Sequence, residues 1–223
     1  MATLTPGSAV ATRTITRMIE ELRARGINNE MVLGIMARIP RHVFVDDALA
    51  PRAYQVDNAL PIGFGQTIST PEIVAVMTSL LCEKKVPKRV LEIGTGCGYQ
   101  TAVLAKIAKE VYTVERIAPL MDKARCTLRD MRYTNVIFKH ADGHFGYAAG
   151  GPYDAIITTA AATHVPPSLQ QQLALGGRLI LPVGVESQKL LVIDRIDDSP
   201  NGFTERVVHD VRFVPLVSGV ALH

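Results

Sequence analysis

The stretch VLEIGTGCGYQ, residues 90–100, decides the fold of this chain. Its apolar start predicts a buried strand, and its glycines Gly94, Gly96 and Gly98 predict a tight turn into a helix. Glycine adopts positive φ angles without a steric penalty and lets other atoms approach the backbone closely. We therefore expect a strand–turn–helix unit whose turn lies against a ligand.

Strands and helices alternate around this unit. The predicted strands are apolar throughout, which is typical of a parallel sheet covered by helices on both faces. They occupy residues 89–94, 110–115, 135–141, 153–160 and 177–184. The predicted helices occupy residues 71–81, 99–108, 118–131 and 166–174. The fold class is therefore α/β, with a doubly wound, Rossmann-like and mostly parallel sheet.

The C-terminal part of the chain follows a different pattern. Two apolar segments, residues 190–196 and 203–217, are separated by a polar connection that ends with Asn201-Gly202. An Asn-Gly pair between two such segments is typical of a β-hairpin. We expect an antiparallel hairpin at one edge of the sheet.

The N-terminal part is predicted to be helical. Residues 14–25 have apolar positions at helical spacing, and Asn28 or Asn29 can cap a second short helix. Residues 41–70 are rich in Pro, Gly, Asp and Asn, which predicts a long irregular connection, and their apolar content favours a packed one. We predict one domain, residues 1–223, divided into an N-terminal helical cap with the long connection, 1–80, and an α/β core with the C-terminal hairpin, 81–223.

Composition excludes several classes of protein. The net charge of +3, from 24 basic and 21 acidic residues, gives no strong field for binding nucleic acid. No apolar stretch approaches the roughly 20 residues of a membrane helix, and no secretory signal is visible. Cys82, Cys97 and Cys126 lie far apart, which fits a reducing compartment. We expect a cytoplasmic protein with no membrane or nucleic-acid partner, and a monomer.

The spacing of the glycines indicates which ligand the turn binds. Dinucleotide sites use G-x-G-x-x-G, and Tyr99 stands here in place of the third glycine. S-adenosylmethionine (AdoMet) carries no phosphate, and its cationic amino acid end suits a nearby carboxylate such as Glu92. The motif therefore favours AdoMet over a nicotinamide dinucleotide.

Three acidic residues end three successive predicted strands: Glu92, Glu115 and Asp142. Each alone is equally well explained as a solvated acid at a strand end. The carboxyl ends of parallel strands meet at one crevice, where such folds bind ligands, so the set is more specific than its members. Glu115 is placed to accept both ribose hydroxyls, and Asp142 the adenine amino group.

Other chemistries are disfavoured. His140, Asp142 and His144 resemble a metal cluster, but a chance pairing is the better interpretation, and we predict no metal. Cys97 is interpreted as a small packing residue. The fourth strand ends in TTAA at 158–161, which lacks the [N/D]-P-P-[Y/F] motif of many nitrogen methyltransferases. No G-x-S-x-G motif of α/β-hydrolases is present.

The segment ALPIGFGQTISTPE, residues 59–72, precedes the first core helix. Ser69 and Glu72 have the spacing of a capping box, in which the serine caps the helix and the glutamate reaches back. Composition and spacing alone give Ser69 no catalytic role. The alternatives that remain open are a small-molecule or RNA methyltransferase, a binding module without turnover, and an NAD-dependent oxidoreductase.

Longer segments resemble one family closely. The stretches LPIGFGQTIS, LEIGTGCGYQTA, YTVER and VRFVPL look like those of the bacterial protein-L-isoaspartate O-methyltransferases. The resemblance runs from RHVFVD near residue 41 to the C-terminal VPL, with Cys97 in place of the more usual serine. It implies methyl transfer from AdoMet to the free α-carboxyl of L-isoaspartyl residues in damaged proteins and peptides, which starts repair through a succinimide.

The resemblance also implies roles for individual residues. Ser69 takes the catalytic position, and the segment from Gln66 to Ser69 lies beside the cofactor. Residues 1–80 then include the substrate and catalytic loop, and residues 81–223 form the AdoMet-binding core with the C-terminal hairpin. Together with the motifs above, the predicted cofactor-binding set is Gln66, Thr67, Ile68, Ser69, Glu92, Gly94, Thr95, Gly96, Cys97, Gly98, Glu115, Arg116, Asp142 and Gly143. We also expect Val214, Pro215 and Leu216 to help wall the cleft.

Overall fold

A seven-stranded sheet forms the centre of the computed structural model, which describes residues 9–222. Its order is β5-β4-β3-β6-β7-β8-β9, with β3 to β7 parallel and β8 and β9 antiparallel to their neighbours. The strands are β3 (Arg89–Ile93), β4 (Glu110–Glu115), β5 (Val136–His140), β6 (Tyr153–Thr158), β7 (Leu173–Val183), β8 (Gln188–Arg195) and β9 (Phe203–Val211). The predicted α/β fold and the edge hairpin are confirmed.

Helices cover both faces of the sheet. They are α1 (Ala9–Ala24), α2 (Glu30–Met36), α3 (Pro71–Leu81), α4 (Tyr99–Ala105), α5 (Ala118–Asp130) and α6 (Pro167–Gln171). On one face, side chains such as Val90 and Val111 pack against α3 and α4. On the other face, Leu91, Ile93 and Val114 pack with Leu169 of α6. Successive strand residues are therefore buried on opposite faces, which explains the unbroken apolar strands.

The N-terminal cap packs against the core through its apolar face. Met18 and Leu22 of α1 and Leu33 of α2 share a buried cluster with Tyr99 and Val103 of α4. The N-terminus of α2 is capped by Asn29, whose side chain accepts a hydrogen bond from the backbone N–H of Val32 (3.2 Å). The predicted amphipathic helices are present, and α1 begins earlier than residue 14.

The connection at 41–70 is more regular than expected. It contains two 3₁₀ helices, Arg41–Phe44 and Asp47–Arg52, and a two-stranded antiparallel sheet of β1 (Leu60–Gly63) and β2 (Gln66–Ile68). The turn between these strands has positive φ at both of its central residues, Phe64 (54°) and Gly65 (67°), which matches a type I′ hairpin turn. The prediction of an irregular connection was wrong here because a non-glycine residue occupies a position that normally favours Gly or Asn.

The boundary between α6 and β7 also differs from its prediction. The helix ends at Gln171 and not at residue 174, because Leu173 already pairs with Tyr153 in the sheet. The backbone N–H of Tyr153 donates to the carbonyl of Gln172 (2.8 Å), which fixes this register. Sheet pairing overrides the local helical preference at this point.

Asp154 links the beginning of β3 to β6. Its Oδ2 accepts hydrogen bonds from the backbone N–H groups of Lys88 (2.9 Å) and Arg89 (3.0 Å). Partial burial alone would raise the pKa of Asp154, but these N–H donors and Lys85 outweigh it and lower the pKa. The ionised carboxylate therefore stabilises the folded state.

Replacing Asp154 with Asn removes the charge and keeps one oxygen acceptor. We expect Asp154→Asn to lower the free energy of unfolding by about 1–2 kcal/mol at neutral pH. Because the folded-state pKa is lowered, the stabilisation is present above the unfolded pKa of about 3.9 and is lost as the pH falls below it. Urea unfolding near pH 6 and near pH 3 measures the difference between the two proteins. A difference that stays the same at both pH values would contradict this assignment.

Candidate active site

A cleft of about 600 Å³ lies at the carboxyl ends of the parallel strands. It opens where the strand order reverses, because β4 lies on one side of β3 and β6 on the other. Doubly wound sheets bind ligands at such a switch point. Its walls come from the segments that follow β3, β4 and β6, together with the hairpin β1–β2 and the C-terminal segment 214–217.

The glycine turn after β3 forms the floor of this cleft. Gly94 has a φ of 93° and Gly96 a φ of 53°, values that L side chains rarely adopt. A Cβ atom on Gly94 would clash with the hydroxyl of Thr159, which donates to the carbonyl oxygen of Gly94 (2.7 Å). The absence of side chains therefore lets the turn meet the segment after β6 and leaves its backbone open to a ligand.

Glu115 ends β4 and lines the cleft. Its Oε2 accepts from the N–H of Gly96 (2.9 Å), and its Oε1 accepts from the N–H of Ile117 (2.9 Å). Each carboxylate oxygen can accept more than one hydrogen bond, so the group can also receive hydroxyl donors from the cleft. This position agrees with the prediction for Glu115, whose contact with a ribose stays a prediction.

Glu92 lies elsewhere than we expected. Its carboxyl group is fully buried beneath the glycine turn, where Oε2 accepts from the hydroxyls of Thr101 (2.5 Å) and Thr113 (2.6 Å). Burial raises the pKa of Glu92 to about 8. Glu92 does not line the cleft, because it points into the sheet face covered by α4. It supports the turn from below, and its assignment to the cofactor site stays a prediction.

The end of β5 contributes backbone to the cleft. Asp142 caps a short 3₁₀ helix through the N–H of His144 (2.9 Å), and its second oxygen accepts from the N–H of Gly219 (2.6 Å). Gly143 lines the cleft, where a Cβ atom would clash with Ile93. Within residues 9–222 no group of three or more His, Cys, Asp or Glu side chains is arranged to hold a metal ion.

Ser69 is not the cap of α3. The cap is Thr70, whose hydroxyl accepts from the N–H of Ile73 (3.1 Å). Glu72 does not reach back to close a capping box, since its carboxylate binds the guanidinium of Arg25 (2.7 Å). The capping-box prediction was therefore wrong, because the helix cap lies one residue later and Glu72 makes no reciprocal bond. The Ser69 hydroxyl makes no hydrogen bond to the described part of the chain.

A buried arginine holds the backbone of Ser69 in place. The guanidinium of Arg41 donates to the carbonyl oxygens of Ser69 (2.5 Å) and Ala53 (2.7 Å). It also lies over the ring of Tyr99, 4.6 Å from the centroid. Arg41 has no exposed surface, so these contacts fix the Ser69 segment on the first turn of α4.

Two further hollows open beside the main cleft. One of about 310 Å³ is lined by Ser69, Thr95 and Cys97, and another of about 620 Å³ is lined by Ser69 and Arg212. Thr67 and Thr159 line all three spaces, so the three adjoin each other. Ser69 therefore lies where the smaller, glycine-lined hollow meets the larger one.

The other predicted site residues divide into two groups. Gln66, Thr67 and Arg116 line the main cleft, whereas Ile68 lines the smaller hollow. Gly98 lines neither of them and begins α4 with a φ of 90° against α5. The residues expected to wall the cleft, Val214, Pro215 and Leu216, do line it.

Sequence reasoning missed part of the lining. Thr159 was considered only because its segment lacks the [N/D]-P-P-[Y/F] motif. Its position directly after the fourth strand was the sequence feature that could have predicted a cleft residue. The missed apolar residues are Ile62, Ile93, Val114, Ile117, Ala160 and Val217. Their sequence signal is weak because buried apolar residues surround every strand.

Comparison with known proteins shows the family of this chain. The model of the protein-L-isoaspartate(D-aspartate) O-methyltransferase family matches residues 13–221. The chain belongs to this family. It is 54% identical to the protein-L-isoaspartate O-methyltransferase of Dechloromonas aromatica, over 93% of this chain and 94% of that protein. The enzyme of the same description from Hahella chejuensis is 53% identical, over 93% and 97% of the two chains.

Solved structures of the family share the fold. A protein from Plasmodium falciparum, described as a beta-aspartate methyltransferase and solved with S-adenosyl-L-homocysteine, is 26% identical with a TM-score of 0.75. The match covers 90% of this chain and 97% of that one. A second protein-L-isoaspartate O-methyltransferase structure has a TM-score of 0.81 at 24% identity, over 92% of this chain and 67% of that one.

The contact between Gly94 and Thr159 in this methyltransferase can be tested against a matched glycine. Gly63 has nearly the same φ (94°) as Gly94 (93°), but a Cβ atom there meets nothing within 4 Å. Both alanine variants carry backbone strain, and only Gly94→Ala also displaces Thr159. We expect Gly94→Ala to lose about 1–3 kcal/mol more unfolding free energy than Gly63→Ala. If denaturant unfolding showed that both variants lose the same unfolding free energy, the contact between Gly94 and Thr159 would not contribute to stability.

Proposed function

We propose that this protein transfers the methyl group of AdoMet to the free α-carboxyl of L-isoaspartyl residues in damaged proteins and peptides, and so initiates their repair through a succinimide. Membership of the family supports this function. The observation that carries it is the pair of hollows at Ser69, whose lining contains no Asp, Glu or His side chain. A site without a general base suits a substrate that needs none.

The lining of the main cleft fits the cofactor. Gly94 and Gly96 offer open backbone, and Glu115 offers carboxylate oxygens to hydroxyl groups. Apolar side chains such as Ile117 and Leu216 supply surface for an aromatic base. Bound AdoMet would supply an electrophilic methyl group on a sulfonium centre.

The proposed nucleophile is ready to react at neutral pH. A main-chain-type carboxyl has a pKa of about 3.3–3.7 and is therefore already ionised. The Cys97 thiol and the Tyr99 hydroxyl near Ser69 stay protonated at neutral pH and so cannot act as general bases. Burial raises the pKa of the Cys97 thiol and raises the pKa of Tyr99 to about 12. Catalysis then depends on alignment of the carboxylate oxygen with the methyl group and on exclusion of water.

Ser69 is the residue that we assign to this alignment. Its hydroxyl has no partner in the described chain and lines both hollows, so it can donate to the carboxylate oxygen that does not attack. Arg41 acts as a positioning residue, because it holds the Ser69 carbonyl (2.5 Å) without lining either space.

Other features stay predictions from the sequence. No helix within the described residues has the length and apolarity needed to cross a membrane. A cytoplasmic location and the lack of a nucleic-acid partner rest on composition and cysteine spacing, and the monomeric state stays an expectation that no contact in the structure addresses. A small-molecule or RNA methyltransferase on the same fold is the alternative to exclude.

A transfer assay tests the function directly. We expect radioactive methyl groups from labelled AdoMet to appear in an L-isoaspartyl peptide and not in the matched L-aspartyl peptide. Small carboxylic acids and bulk RNA serve as alternative acceptors. Equal labelling of both peptides, or labelling of RNA alone, would contradict the proposal.

Separate alanine substitutions of the adjacent residues Ser69 and Thr70 distinguish a catalytic role from helix capping. We expect Thr70→Ala to lower the free energy of unfolding by about 0.5–2 kcal/mol, because it removes the cap of α3. Ser69→Ala should leave stability nearly unchanged and lower the turnover of the folded enzyme by about 10- to 100-fold through misalignment. Denaturant unfolding and the transfer assay measure the two effects. A Ser69→Ala protein with wild-type turnover would remove the catalytic assignment.

A further inference from the structure

One charged side chain borders the larger hollow at Ser69. The lining of this hollow consists of four hydroxyl-bearing side chains, three apolar side chains and Arg212. Arg212 lies directly after β9 and is exposed. The opening next to the catalytic position therefore carries positive charge and no negative charge.

Within residues 9–222 Arg212 has no hydrogen-bond or salt-bridge partner, unlike two arginines in neighbouring strands of the sheet. Arg178 pairs with Asp194 (2.7 Å) and Arg206 pairs with Glu83 (2.7 Å). Arg212 forms neither a salt bridge nor a hydrogen bond within the described residues. The acid two positions earlier, Asp210, is bound by Lys189. The guanidinium is therefore available to an anion that enters the hollow.

The backbone around Arg212 is held firmly. The side chain of Gln188 accepts from the N–H of Phe213 (2.7 Å) and donates to its carbonyl oxygen (3.0 Å). One residue further on, the carbonyl of Val214 accepts from the N–H of Ala161 (2.8 Å). These bonds tie the segment to β8 and to the segment after β6, so the backbone at Arg212 has a defined position beside the hollow.

The charge of the substrate changes during the proposed reaction. One electron pair of the carboxylate oxygen forms the new C–O bond, and the electron pair of the broken C–S bond stays on sulfur. The substrate enters with one negative charge and leaves as a neutral ester. A cation beside the carboxylate consequently attracts the substrate and not the product.

We propose that Arg212 is a specificity-determining residue that binds the isoaspartyl substrate through its carboxylate charge and loses this attraction once the ester forms. The inference rests on the proposed function. Because the carboxylate charge decreases towards the transition state, Arg212 stabilises the bound substrate more than the transition state. Its removal therefore affects KM and leaves kcat unchanged or raised.

The test uses Arg212→Gln and a matched control. Arg129 on α5 is exposed, and in the described part of the chain it pairs only with the exposed Asp130 (3.6 Å), so Arg129→Gln removes the same charge away from the hollow. The substrate is an isoaspartyl peptide with blocked termini and no other ionisable group. Its α-carboxamide analogue, which is neutral at the same position, serves as a competitive inhibitor.

We expect Arg212→Gln to raise KM for the peptide by about fivefold and to weaken its dependence on salt concentration. The inhibition constant of the neutral amide should stay the same, as should the affinity for S-adenosyl-L-homocysteine and the melting temperature. Arg212→Lys should give an intermediate KM, and Arg129→Gln a wild-type one.

Three results would overturn the inference. They are a KM for the peptide that Arg212→Gln leaves unchanged, binding of the peptide and of the amide that weakens by the same factor, and a change in kcat without any change in KM. Each of these leaves the proposed function intact, since the wild-type enzyme still methylates the peptide. Failure of the wild-type enzyme to do so would instead contradict the proposed function.

Discussion

The glycine turn depends on hydrogen bonds to one carboxylate. Glu115 accepts from the N–H of Gly96 and from the N–H of Ile117, and so ties the turn after β3 to the end of β4. Three closely spaced glycines with positive φ lose much conformational freedom on folding, so the turn needs such an external restraint. The same carboxylate borders the ligand cleft. A single side chain therefore both restrains the turn and borders the cleft proposed to bind the ligand.

The fold was predictable because its signals are local. Unbroken apolar runs such as residues 179–183 belong to strands buried on both faces, and the turn at Gly94 identifies the strand beside which the cleft opens. Asn29 caps α2 as its residue type suggests. In each case the residues that carry the signal are the residues that make the structure, so periodicity and turn chemistry are sufficient.

The details of the site were less predictable because distant residues decide them. Pro71 occupies the first turn of α3 and shifts the cap to Thr70, while Glu72 is drawn to Arg25 of the N-terminal helix. The Ser69 carbonyl is held by Arg41, 28 positions earlier in the chain. A strand-end acid likewise gives no indication of which sheet face it occupies, and this is why Glu92 was expected beside the ligand.

Burial of Glu92 couples the folding of this enzyme to proton uptake. The carboxyl has a pKa of about 8 in the folded protein, against a value of about 4.3 in an unfolded chain. Between these values the unfolded chain is ionised at this position and the folded chain is protonated, so refolding removes a proton from the solution. The contribution of Glu92 to stability is full below the lower value and declines until the pH passes the higher one. The glycine turn above it thus rests on a group whose charge state differs between the nascent chain and the finished enzyme.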